Sequence, residues 1–212
     1  MPKAFFETCA RILGEILSPT RCAACDELVK PTVLFCVACA ATVEEARATA
    51  SGMLVAPLAY GGASASAIAR FKYARRADLG PRLGAFLARS IAPLRGEIDV
   101  VLPVPLHPRR LVERGYNQSA LLAVPIAGVL GAPLAVRALR RVRHTPRQAG
   151  LDRARRLVNL DGAFVAERMM KGERVLLVDD VRTTGATLDA CSRVLLAAGA
   201  REVRAAVVAR VT

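Results

Sequence analysis

The chain has 212 residues, 53% of them hydrophobic, and its 31 basic and 18 acidic residues give a formal net charge of +13. That length suits one mid-sized domain plus a small module, with ample apolar content for a core. The longest uncharged run, residues 120–136, is broken by Pro125, Gly128, Gly131 and Pro133, and Glu7, Arg11 and Glu15 interrupt the apolar N-terminus, so membrane insertion and a secretory signal are both excluded and a cytoplasmic protein is expected.

In chain order, residues 3–17 read as an amphipathic helix stopped by Ser18 and Pro19. Next comes Cys22-Ala-Ala-Cys25, ten residues, then Cys36-Val-Ala-Cys39. Each pair can bite one face of a tetrahedral metal, and two pairs close a structural zinc site. Two disulfides, disfavoured in the cytosol, and redox dithiols are the alternatives. The segment has few large apolar residues, so bound metal would supply much of its folding energy. Cys9 and Cys191 lack a partner pattern and read as small buried hydrophobes on helices.

Residues 41–50 read as a polar helix or linker, and residues 53–60 as a strand. Helical periodicity covers 64–74 and 79–91; within it Phe71-Lys72-Tyr73, a basic and aromatic trio, reads as a helix packing edge. Residues 98–102 are a strand, ended by Pro103-Val-Pro105. The following loop is held extended by prolines and offers Arg109, Arg110 and Arg114 as bidentate phosphate contacts. A helix is expected over 117–130, with Pro125 able to kink it, then strands at 134–139 and near 163–165. Between those strands, residues 137–156 hold eight arginines against the single acid Asp152, a composition suited to a lid over a polyanion or to nucleic acid. The stretch has no aromatics, which argues against base stacking there. His107 and His144 fall in no metal-like or triad-like pattern.

Residues 175–188 read VLLVDDVRTTGATL. An apolar run of a doubly covered strand ends at Asp179 and Asp180; a small-residue loop follows, then a helix closed by Gly199. Unpaired N–H groups at a helix N-terminus bind phosphate, Gly185 lets the backbone approach, and the threonine hydroxyls add donors. Two carboxylates beside such a cradle suit the hydroxyls of a sugar phosphate. The last strand is expected at 202–211. Strands alternating with helices argue for a parallel sheet covered on both faces, with ligands outside its carboxyl edge. The expected division is an N-terminal helix and cysteine module over 1–50 and the sheet domain over 51–212.

The 175–188 segment resembles the diphosphoribose-binding signature of type I phosphoribosyltransferases at every position. That resemblance implies that Asp179 and Asp180 are the catalytic acids holding the ribose hydroxyls, and that Thr183, Thr184, Gly185, Ala186 and Thr187 hold the 5′-phosphate. The ordered set of the four cysteines, then Arg114-Gly115-Tyr116-Asn117-Gln118, then Thr145, Gln148, Leu151, Arg155, Arg156, Asn159 and Gly162-Ala163-Phe164, resembles the ComF family. Its members join a zinc module to a type I phosphoribosyltransferase-like α/β domain. The resemblance makes residues 103–110 a pyrophosphate loop and 140–156 a flexible catalytic loop, with Arg109, Arg110, Arg143 and Arg147 on the pyrophosphate. It implies phosphoribosyl pyrophosphate with Mg²⁺ as ligand and a link to natural transformation or use of DNA as a nutrient. Single-stranded DNA and a competence helicase or other DNA-processing protein are the implied partners. No base-recognition hood is visible, and no N-terminal nucleophile of the glutaminase type. Three readings follow: a transferase with an unknown acceptor, a non-catalytic nucleic-acid-handling adaptor, and a sensor of a phosphoribosyl metabolite.

Overall fold

The computed structural model describes residues 19–47, 52–144 and 160–211, and the structural statements below concern these. The expected helix at 3–17, Cys9 and Arg147 lie outside them. The elements are α1 (Val37–Ala40), β1 (Leu54–Val55), β2 (Leu58–Ala59), α2 (Gly62–Tyr73), α3 (Leu79–Ile91) and β3 (Val100–Pro103). Then follow α4 (Pro108–Arg114), α5 (Gln118–Leu130), β4 (Leu139–Arg141), β5 (Phe164–Ala166), β6 (Arg174–Arg182), α6 (Ala186–Ala197) and β7 (Glu202–Arg210).

The main sheet is parallel throughout, in the order β1, β7, β6, β3, with β2 also pairing β7. Pro57 separates β1 from β2, so the expected single strand at 53–60 becomes two short segments on one neighbour. Both faces are covered, as the apolar strand runs require. Alternation along β6 sends Leu176 and Val178 into a core with α2, α3 and α5, and Val175 and Leu177 into a second core with α6. Helices α3 and α5 approach closely because Gly80 and Gly84 face α5; a Cβ on Gly84 would lie 2.6 Å from the Leu122 carbonyl oxygen.

Several local expectations are corrected. The acids do not end the signature strand: β6 continues through Arg182, because Val181 and Arg182 still pair with β7. Residues 108–114 form a helix, since Pro108 suits a first helical turn and the His107 side chain caps it by accepting from the Arg109 amide. Residues 134–139 do not form one strand. Leu134 makes a single parallel bridge to Val101, and the regular pairing lies at β4, antiparallel to β5 in a small second sheet. Of the helix or linker expected at 41–50, residues 41–47 form a non-helical connection: Glu45 bridges Leu58, and the Ala59 amide donates to the Glu44 carbonyl. Pro125 leaves α5 unbroken from Gln118 to Leu130. No helix among the described residues is long and apolar enough to cross a membrane.

Candidate sugar-phosphate site and cysteine centre

At the carboxyl edge of the sheet, Asp179, Arg182 and the loop of Thr183, Thr184, Gly185, Ala186 and Thr187 line one concavity. Gly185 caps α6 with φ +86°, a left-handed conformation that a side chain resists. A Cβ there would also meet the Arg182 guanidinium at 2.9 Å, so Arg182 lies across the loop. The first amides of α6 carry the partial positive charge of a helix N-terminus, and the guanidinium adds a full one.

The two acids are held by different elements. The Ser119 hydroxyl donates to Asp179 Oδ1 at 2.8 Å, and the Asp180 amide donates to the same oxygen at 2.9 Å. Ser119 is placed by the start of α5: the Asn117 side chain accepts from the Ser119 amide at 3.1 Å and donates to the Val104 carbonyl at 3.1 Å. Asp180 pairs instead with Lys72 of α2, Nζ to Oδ1 2.8 Å, with the two side chains only 17% and 7% exposed. The end of α2 is clamped by Tyr116, whose ring stacks on Phe71 at 5.7 Å and whose hydroxyl donates to the Phe71 carbonyl. Desolvation and then the Asp180 charge push Asp179 up to about 6, with Lys72 pulling the other way. Burial opposes the Lys72 charge, yet Asp180 outweighs it and holds the ammonium above its ordinary range.

Of the arginines singled out from sequence, Arg114 is committed elsewhere: it donates to Gln118 Oε1 at 2.9 Å and lies over the Tyr73 ring at 5.4 Å. Arg109 is exposed on α4, and Arg143 is exposed and donates to the Asp161 carbonyl. Arg110 is within electrostatic reach of Arg141, a buried guanidinium seated 5.3 Å from the Phe164 ring that also feels Asp179. Burial and the Arg110 charge press Arg141 below its ordinary range. His107 and His144 meet edge to face at 5.1 Å. The contacts of Lys72, Ser119 and Arg182 carry no separate signal in the sequence. The one available hint is that Lys72 is one of only four lysines among 31 basic residues.

The four cysteines converge. Their sulfurs all lie within 4.8 Å of one another, and those of Cys25 and Cys36 are 3.7 Å apart. A tetrahedral zinc thiolate with bonds of about 2.3 Å places its sulfurs ~3.8 Å apart, so Cys22, Cys25, Cys36 and Cys39 suit a closed structural metal site. The amides of Cys36, Cys25 and Ala24 favour a thiolate at Cys22 against the cost of burial, whereas burial and the neighbouring sulfurs push the Cys39 thiol up. The centre is fastened to the sheet domain by arginines. Asp26 pairs with Arg70 and Arg76 of the α2 region, and Arg82 of α3 donates to the Arg21 and Val33 carbonyls at 2.6 and 2.8 Å.

The acid pair and the loop fall within residues 113–211, which match the family profile described as "Phosphoribosyl transferase domain". The DNA utilization protein YhgH of Salmonella typhi is 36% identical over 140 residues, covering 64% of this chain and 62% of that protein. Competence protein F of Haemophilus influenzae is 39% identical over 109 residues, 50% of this chain and 48% of that protein. The chain therefore spans less than two thirds of the length of these relatives. A purine phosphoribosyltransferase from Pyrococcus horikoshii superposes with a TM-score of 0.40 at 19% identity, over 62% of this chain and 82% of that one. The four-cysteine centre lies outside the residues that the profile matches, and the chain is similar to competence protein F and the YhgH proteins over about half to two thirds of its length.

Proposed function

We propose that the carboxyl edge of the sheet binds phosphoribosyl pyrophosphate or a closely related sugar phosphate, in a protein serving DNA uptake or DNA utilisation. The observation that carries this is the adjacency of an ionisable acid pair and a cationic loop: Asp179 lines the same concavity as residues 183–187 and Arg182. Asp179 and Asp180 accept the ribose hydroxyls, and the loop takes the 5′-phosphate. Mg²⁺ arrives on the diphosphate's own oxygens, keeping several waters. Arg109 and Arg110 on α4, with Arg143 and Arg147, take the pyrophosphate in this reading. If transfer occurs, carboxylates near C1 favour the positive charge that develops on the ribose, while arginines favour the departing pyrophosphate. The zinc-type centre is structural in this reading, with a domain division at about residue 50.

The test is equilibrium titration with ribose 5-phosphate, which lacks the diphosphate and so reads the loop and acid pair alone. Binding is expected to hold steady above neutrality and to weaken as the pH falls through about 6, because a protonated Asp179 loses acceptor capacity toward a hydroxyl. No saturable binding at any pH would refute the reading. The charge of +13 and the names of the relatives favour a second role in holding single-stranded DNA. That role is read as an affinity falling steeply with salt.

A further inference from the structure

We propose that Lys72 is a positioning residue of this site: an internal counter-ion that keeps the adjacent carboxylates ionised and aimed for neutral sugar hydroxyls. The inference rests on the sugar-phosphate reading for its ligand, but not for the charge state it assigns.

Two adjacent buried carboxylates repel, and the ordinary relief is uptake of a proton or a divalent cation. Here the relief comes from the chain itself. Lys72 Nζ lies 2.8 Å from Asp180 Oδ1, and both side chains are largely withdrawn from water. The lysine reaches the strand from α2, a separate layer of the fold, and its helix end is fixed by the Phe71–Tyr116 stack and the Tyr116 hydroxyl bond to the Phe71 carbonyl. Ser119 supplies the matching hydrogen bond to Asp179 from α5. A lysine suits the task because its compact ammonium fills one site and leaves other carboxylate lone pairs available, where an arginine fork would span both oxygens. With that charge in place, hydroxyl donors are favoured over a bare metal ion at the acids.

Among the described residues, other titratable and charged groups around the pair include Tyr73 beside Lys72, Arg141 of β4, Cys191 of α6 and Arg182, which lines the same concavity as Asp179. Arg141 remains when Lys72 is removed, so the experiment asks whether the nearer cation is the one that decides.

The experiment follows the aspartate carboxyl carbons by ¹³C NMR during a pH titration of ligand-free protein. The samples are the wild type, the neutral variants Lys72→Met and Lys72→Gln, and the charge-retaining Lys72→Arg. Ribose 5-phosphate is then titrated into each. At pH 7 both acids are expected to be ionised in the wild type and Lys72→Arg, whereas the neutral variants hold a proton on the pair. Ribose 5-phosphate affinity is expected to fall about tenfold or more in the neutral variants, and by less in Lys72→Arg, which keeps the charge but covers more of the acceptor sites. Full ionisation at pH 7 in a folded neutral variant would overturn the proposal, as would unchanged affinity. If the wild type binds no sugar phosphate, the ligand reading falls, and the carboxyl titration still decides the role of Lys72. The glutamine variant, which can still hydrogen-bond Asp180, provides the readout if the methionine variant does not fold.

Discussion

Replacing Cys36 with serine is expected to empty the metal centre and lower the thermal midpoint of the whole chain by about 10 °C or more. A metal bound only by the folded state adds its binding free energy to folding. For a chain of this size about 1 kcal/mol corresponds to roughly 2–4 °C, so a loss of several kcal/mol is required and is within what a structural zinc supplies. Cys36 is buried, so the substitution removes one ligand and leaves a hydroxyl facing the three remaining sulfurs. The effect should spread beyond the centre, because Ala23 belongs to the main core and Asp26, next to Cys25, anchors Arg70 and Arg76. Metal analysis beside differential scanning calorimetry checks this. One zinc per chain in the wild type, little in the variant and a large drop in midpoint are expected. An equal midpoint with the metal gone would remove the structural role from the centre.

Replacing Gly185 with valine is expected to weaken phosphate-containing ligands at least tenfold, about 1.4 kcal/mol, while leaving the fold intact. A β-branched residue at φ +86° is strained by the backbone alone. Its side chain must also displace Arg182, whose guanidinium lies 2.9 Å from the new Cβ. Both effects act on the phosphate loop and neither on the core. Titration with inorganic phosphate and with ribose 5-phosphate should therefore show parallel losses. A loss for ribose 5-phosphate alone would move the phosphate away from this loop.

The parts legible in the sequence are those that depend on local pattern. A run such as Val175 to Val178 announces a strand buried on both faces, and the residues after it carry the turn chemistry of a phosphate loop. Periodicity brackets α2 and α3 closely, and the Gly199 stop marks the end of α6. The CxxC spacing announces the cysteine cluster because ligand geometry is itself local. What escapes is whatever depends on long-range placement. Lys72 and Asp180 are 108 positions apart, and nothing in Phe71-Lys72-Tyr73 tells which side chain turns toward the sheet. Ser119 reaches Asp179 only through the Asn117 cap and its tie to Val104. The arginines of 108–114 look like an extended phosphate loop by composition, yet Pro108 and the His107 cap start a helix that turns Arg114 onto Tyr73 and Gln118. The β4–β5 pairing likewise reflects tertiary context, in which an apolar stretch at 134–139 does not secure a place in the main sheet.

The most direct test is calorimetric titration of phosphoribosyl pyrophosphate with Mg²⁺ into the wild type and into the Asp179→Asn/Asp180→Asn variant. The double substitution nearly preserves shape and removes both charges. Saturable one-site binding by the wild type and a loss of about a hundredfold or more in the variant are expected, since hydrogen bonds to charged acceptors contribute roughly 1.5–3 kcal/mol each. Equal binding by both proteins, or none by a well-folded wild type, would contradict the assignment of the acid pair and its loop as a sugar-phosphate site.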